Sequence, residues 1–258
     1  SNVGEVMMEV KDWNVYHPVY MERKVVDNVN IHVKKGEVLG ISGLMGAGRT
    51  ELAMSLFGKS YGDNISGKLF IKGQEVQLNS VEDAIKHKLA YVTEDRKGNG
   101  LILSNPIKVN TTLANLDAVS TRFAIDKDKE YAASVEINKK LKTKCPSVEQ
   151  NVGNLSGGNQ QKVLLAKWMF AEPDILILDE PTRGIDVGAK YEIYCIINQL
   201  VAEGKSVIMI SSELPEILGM CDRIYVMSEG KMVGELSGEE ATQEKIMAQI
   251  LSSERKGE

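Results

Sequence analysis

With 258 residues, 43% of them apolar, and a formal net charge of −5, the chain is long enough to bury a sizeable core and is not globally disordered. Its acidic balance argues against nucleic acid as a partner, since nucleic-acid-binding domains usually show a basic excess. No apolar run approaches the roughly 20 residues of a membrane-spanning helix.

Residues 6–13 and 25–33 carry strand-like apolar residues, the second segment alternating at Val29, Ile31 and Val33. Between them, residues 14–24 hold Tyr16, His17 and Tyr20. An aromatic there can stack on a base, because every base offers a π-face; an ordinary surface loop is an equal reading. His17 and His32 read as surface or packing residues. An apolar run, 38–41, then leads into Gly43-Leu44-Met45-Gly46-Ala47-Gly48-Arg49-Thr50-Glu51, with a helix expected over 51–57. Strand, glycine loop and helix in that order suit a phosphate-binding loop. Glycines let successive N–H groups turn inward on an anion, and the helix start adds partial positive charge. Thr50 can offer its hydroxyl to Mg²⁺. Arg49 stands where such loops normally carry lysine, so these residues alone leave a plain glycine-rich turn open.

Residues 58–67 read as polar and turn-rich, and 67–77 as a hairpin around Gly73. Ser80 opens a short helix to His87 through a capping box. An apolar strand, 89–92, runs into a charged turn over 93–98 that contains Glu94. From 106 to 144 the pattern turns helical: Leu113, Leu116 and Val119 share one face, and Tyr131, Val135, Ile137 and Leu141 another. The charge run 126–130 reads as a solvated helix start. Ser156-Gly157-Gly158-Asn159 then precedes a long helix to Phe170. It presents backbone donors at a helix start, although an ordinary cap would look the same.

Residues 175–180 form a fully apolar strand ending in Asp179 and Glu180. Such a strand is buried on both faces, as in a parallel sheet, and acids at its carboxyl end face the ligand crevice. Asp179 can hold Mg²⁺ as a hard oxygen ligand, and Glu180 can orient or deprotonate a water. A loop with Asp186, a helix over 188–203 and a buried strand over 207–210 follow, the strand ending in Ser211-Ser212-Glu213. A helix over 214–220, a hairpin over 224–235 and a last helix over 242–251 complete the chain. Cys145, Cys195 and Cys221 lack metal-ligand spacing and read as reduced thiols. The opening Ser-Asn, with no methionine, reads as a domain taken from a longer protein.

The glycine loop, Leu155-Ser156-Gly157-Gly158-Asn159-Gln160, the 175–180 strand and Asp186 occur in the order of the ABC transporter ATPases, and the resemblance spans nearly the whole chain. Gly43–Glu51, Glu94-Asp95-Arg96-Lys97 and Ser211-Ser212-Glu213 look most like the second ATPase half of bacterial monosaccharide importers, which carry two such halves on one chain. The resemblance implies an α/β phosphate-loop ATPase fold: a mostly parallel core sheet, an antiparallel β subdomain and an inserted helical subdomain. It implies a single nucleotide-binding domain over 1–258, with the core and β subdomain at about 1–95 and 171–258 and the helical signature subdomain at about 96–170.

The same resemblance implies roles. Residues 43–51 would cradle the phosphates of ATP, Thr50 and Asp179 would serve Mg²⁺, and Glu180, with Glu94 and Ser212, the hydrolytic site. Tyr20, or failing it Tyr16, would stack on adenine. Ser156, Gly157, Gly158 and Asn159 would touch the ATP of the opposing half, and Asp186 would help close the pair. Implied partners are the other ATPase half, membrane permease subunits and, indirectly, a periplasmic sugar-binding protein, at the cytoplasmic face of the inner membrane. Four positions depart from the family pattern: Arg49 for lysine, Glu94 for glutamine, Ser212 for histidine and Asn159 for glutamine. They suggest a half that binds ATP but hydrolyses it slowly while its signature serves the partner. A regulatory ATP-binding module and a non-transport ABC ATPase are the alternatives. The stretch 13–18 hints at a xylose-type system.

Overall fold

The computed structural model describes residues 3–257. In chain order its elements are strands β1 (Val6–Tyr16), β2 (Lys24–Lys34) and β3 (Val38–Ser42), helix α1 (Arg49–Leu56), β4 (Asp63–Ile71), β5 (Gln74–Val76), α2 (Val81–Lys86) and β6 (Leu89–Val92). Helices α3 (Ile107–Thr112), α4 (Lys127–Lys140) and α5 (Gly157–Met169) follow. The remainder is β7 (Ile175–Asp179), α6 (Val187–Ala202), β8 (Ser206–Ile210), α7 (Leu214–Met220), β9 (Arg223–Ser228), β10 (Lys231–Ser237) and α8 (Gln243–Arg255).

Two compact units result. Among the described residues, the first comprises 3–91, 174–180 and 199–257, the second 92–173 and 181–198. In the first unit a four-stranded sheet runs in the order β2-β1-β4-β5, each neighbouring pair antiparallel. Alternation along β2 buries Val29, Ile31 and Val33, as the period-2 pattern requires, and Val26 is buried on the far side of a break at Asn28, which has φ +47°. The stretch expected to be turn-rich differs: β4 starts at Asp63. Gly67 sits inside that strand with φ +115°, where a side chain would meet the Asp12 carbonyl oxygen at 2.6 Å. Asp12 itself has φ +51°. The glycine therefore marks a bulge between β1 and β4, and a sequence reading takes the same residue for a turn.

The second sheet of this unit has the order β10-β9-β3-β8-β7-β6. β3 pairs parallel with both β8 and β9, and β7 pairs parallel with β8. Every residue of β3, β7 and β8 is buried, which explains their unbroken apolar runs. The edge hairpin β9–β10 is antiparallel. With only β8 between them, β3 and β7 deliver the glycine loop and the Asp179-Glu180 pair to one edge of the sheet.

In the second unit, α4 departs in part from the expected amphipathic face. Leu141 just past its end is buried and Ile137 half-buried, but Tyr131 and Val135 are 45% and 38% exposed, while the polar Glu130, Ser134 and Asn138 are buried. Asn138 pins this polar stripe inward. Its amide donates to Thr111 Oγ1 at 3.0 Å, and Thr143 Oγ1 donates to its carbonyl at 3.0 Å. Buried hydrogen bonds such as those of Asn138 can hold a polar helix face that hydrophobicity alone would turn outward. The run 113–119 is a 3-10 segment kinked at Asn115, so Leu116 is exposed and Val119 buried. Among the described residues, no helix is long and apolar enough to cross a membrane, and all three cysteines are free thiols.

Candidate functional site: a phosphate loop and its acids

Residues 43–48 wrap tightly between β3 and α1. A side chain at Gly43 would strike the Met227 carbonyl oxygen at 2.4 Å. Gly48 has φ +100° and would bring a Cβ to 2.6 Å from the Val25 carbonyl oxygen. Glycine is therefore a steric requirement at both places. Ala47 is buried and its carbonyl accepts from Gly230 N at 2.8 Å, whereas Leu44 and Met45 are 50% and 89% exposed. Arg49, Thr50 and Glu51 form the first turn of α1, whose leading N–H groups have no intrahelical acceptor and favour an anion.

Thr50 Oγ1 donates to Asp179 Oδ2 at 2.8 Å. Tyr91 OH donates to the same oxygen at 2.7 Å. Asp179 is fully buried at the end of β7. A hydroxyl and a carboxylate converging beside a phosphate-type loop are the hard oxygen donors that Mg²⁺ takes in small number, with waters and phosphate completing its shell. The two residues thus fit such an ion. Tyr91 escaped the sequence reading because an apolar strand hides it; a lone phenol in β6 was the available signal.

Glu180 is 8% exposed and holds φ +48°, an uncommon conformation for a residue with a Cβ. Its N–H donates to Ile210 O at 2.8 Å. The carboxylate accepts from Ser212 N at 2.8 Å and from Ser212 Oγ at 3.3 Å. Arg49, also 8% exposed, donates from Nη1 to Ser211 O at 2.7 Å, and its Nη2 lies 3.8 Å from Glu180 Oε1. Arg49 and Glu180 thus form one buried pair, with the exposed Ser212 bonded at its rim and the Ser211 carbonyl as a member that sequence reasoning missed. Ser211 Oγ is tied to the buried Glu216 carboxylate, which steadies the turn after β8.

Tyr20 lies on the short connection between β1 and β2 and is 67% exposed. Tyr16 ends β1, half-buried beneath the Lys24 ammonium.

The remaining candidates belong to the second unit. Ser156 caps α5, accepting from Asn159 N at 3.4 Å and from Asn159 Nδ2 at 3.0 Å. Asn159 Oδ1 in turn accepts from Lys144 N at 2.9 Å. Ser156 is exposed, Gly157 half-buried and Gly158 buried. Gly158 packs so close to α6 that a side chain would meet Ala189 Cβ at 2.6 Å. Arg96 donates to Gln160 Oε1 at 3.3 Å and lies beside Gly157; burial lowers its guanidinium pKa. Glu94 pairs with Arg183 at 2.5 Å, so the acid in the glutamine position carries its own counter-charge. Asp186 caps α6 by accepting from Ala189 N at 2.9 Å. Sequence singles out neither Arg183 nor, beyond its place in the 94–97 motif, Arg96, since their partners lie far away along the chain.

A glycine loop between a buried strand and a helix, with a Thr50–Asp179 pair and an adjacent buried glutamate, on a mixed sheet flanked by an antiparallel one, defines a phosphate-loop ATPase of the ATP-binding-cassette class. Solved structures share the fold. A nucleotide-free ATP-binding cassette from an ABC transporter matches with a TM-score of 0.79 at 21% identity, covering 96% of this chain and 95% of that one. The cassette MJ0796, in a post-hydrolysis state bound to ADP and Pi, matches at 0.75 and 21%, covering 90% and 98%.

The chain belongs to the ABC transporter family, whose model matches residues 26–183. It is 63% identical over 245 residues to the L-arabinose transport ATP-binding protein AraG of Geobacillus stearothermophilus, covering 95% of this chain and 48% of that protein. It is 52% identical to the xylose import ATP-binding protein XylG of Thermoanaerobacter pseudethanolicus, with the same coverage. The ribose import ATP-binding protein RbsA of Bacillus cereus is 48% identical, covering 96% and 48%. The chain thus spans about half the length of the curated relatives it matches.

Proposed function

We propose that this chain is the second, C-terminal ATPase half of a bacterial monosaccharide importer, working at the cytoplasmic face of the inner membrane. Residues 1–95 and 171–258 serve as the ATP-binding core and β subdomain, and 96–170 as the helical subdomain that carries the signature. Its partners are the other ATPase half, membrane permease subunits and, indirectly, a periplasmic sugar-binding protein. The relatives named for arabinose, xylose and ribose, each matched over about half its length, support this reading.

Residues 43–51 bind the phosphates of ATP through backbone N–H groups, and Tyr20 stacks on adenine. Thr50 and Asp179 would hold Mg²⁺, which supplies charge neutralisation at the phosphates when bound. Glu180 orients and deprotonates the attacking water. Ser156, Gly157 and Gly158 meet the ATP of the opposing half, with Asp186 at the seam. Nucleotide-driven closing and hydrolytic opening of the two halves move the permease.

The single observation that carries a weakened own site is Arg49, buried against Glu180 and the Ser211 carbonyl. A planar guanidinium held there is not a compact ammonium free to follow the phosphates. The same observation favours a second reading, an ATP-binding regulatory module. ATP turnover by this chain alone and by the two-half protein tests both. Slow hydrolysis alone and rapid hydrolysis in the pair supports the division of labour. Fast turnover by this chain alone, abolished by Glu180→Gln, overturns it. No turnover in either setting, with binding intact, favours the regulatory module.

A further inference from the structure

We propose that His17 is a positioning residue for nucleotide binding: it fixes the loop that presents Tyr20, with the Tyr61 ring packed against its own. The inference rests on the reading of Tyr20 as the base-stacking aromatic. His17 Nδ1 lies 3.1 Å from Val19 N and 3.0 Å from Tyr20 N. Two backbone N–H donors converge on one ring nitrogen, so that nitrogen must offer its lone pair and the ring proton sits on Nε2. The His17 and Tyr20 rings lie 5.0 Å apart with planes tilted by 40°. Tyr61 meets the imidazole edge-on, with centroids 6.4 Å apart and planes at 89°. The loop is closed below by His17 N donating to Arg23 O and Arg23 N donating to Tyr20 O, both at 2.8 Å.

A ring that is 67% exposed can reorient freely unless something beneath it holds its backbone. Here one imidazole ties down the backbone of Tyr20 and packs against its ring. Tyr61 adds a second ring to this cluster. Its phenol pKa is raised by burial and by the negative charge of Glu51 in the first turn of α1. A pre-set platform saves the ordering cost that a mobile tyrosine pays on binding.

The test compares Mg-ATP with Mg-tripolyphosphate, which has the phosphates but no base. Binding of each is measured by calorimetry for the 258-residue chain and for His17→Ala, His17→Asn, Tyr20→Ala and the His17→Ala/Tyr20→Ala double variant. His17→Ala should weaken ATP about five- to tenfold, a part of what base stacking contributes, and leave tripolyphosphate unchanged. The double variant should bind ATP no more weakly than Tyr20→Ala alone. His17→Asn, whose amide oxygen can accept the same two N–H bonds, should recover part of the loss. Equal weakening of ATP and tripolyphosphate by both His17 variants would overturn the proposal, as would independent, multiplying effects of His17→Ala and Tyr20→Ala. If Tyr20→Ala weakens ATP but neither His17 variant does, the positioning role alone fails. If Tyr20→Ala leaves ATP binding intact, the base-platform reading fails and the role of His17 falls with it.

Discussion

The Arg49 guanidinium lies 3.8 Å from the Glu180 carboxylate while donating to the Ser211 carbonyl at 2.7 Å. The cation at the start of the loop helix and the acid at the end of β7 are thus engaged with each other. The Ser212 backbone N–H donates to the same carboxylate at 2.8 Å. On the proposed role of Glu180, activating a water would require that its contact with Arg49 loosen.

That relationship makes Arg49→Lys an informative change. A lysine reaches as a point charge and lacks the fork that spans Ser211 and Glu180. Turnover by the chain, followed as phosphate release at saturating Mg-ATP, is expected to rise by about tenfold, or ~1.4 kcal/mol of barrier. A fall in turnover would mean that Arg49 already acts as a productive phosphate ligand.

A division of labour predicts unequal costs in the two-half protein. Ser156→Arg places a long cation on the exposed cap of α5, whereas Arg49→Ala alters a site already held to be slow. Sugar uptake is expected to fall by about a hundredfold for the first, the scale of losing a preorganised donor, and within about threefold for the second. Equal losses would place the same workload on both sites.

The Glu94–Arg183 pair is expected to be a modest contributor to stability. Its side chains are 33% and 52% exposed, so water screens most of the attraction. A double-mutant cycle with Glu94→Gln and Arg183→Ala, read from urea midpoints, should return a coupling of about 0.2–1 kcal/mol. A larger value would reveal an interaction carried by more than this one contact.

His32 gives the fold a dependence on pH. Burial, followed by the Arg223 charge, lowers its imidazole pKa below 6.5. Tyr225 OH meets His32 Nδ1 at 3.2 Å, and Arg223 donates to the His32 carbonyl at 2.7 Å. The unfolded chain therefore takes up this proton first as pH falls. The stability from neutral His32 is complete above 6.5 and is lost as pH drops through the lower folded value. Urea midpoints should decline between about pH 7.5 and pH 5.5, and His32→Asn should flatten that part of the decline.

Sequence by itself determined the elements whose identity is local. The apolar runs of β3, β7 and β8 could only be buried parallel strands, and glycines at 43, 46 and 48 between a strand and a helix could only be a tight loop. The acids Asp179 and Glu180 were legible because a fully apolar strand ends on them. Tertiary structure decided what depends on partners far along the chain. Tyr91 and Thr50 converge on Asp179 only because β6, β7 and β3 lie in one sheet. Glu94 acquires Arg183, and α4 turns a polar face inward, because Thr111 and Thr143 wait there for Asn138. Periodicity reports how a segment would partition between water and a uniform core. It carries no record of which specific hydrogen-bonding group the core will offer, and at Asn138, Arg49 and His17 that offer settled the arrangement.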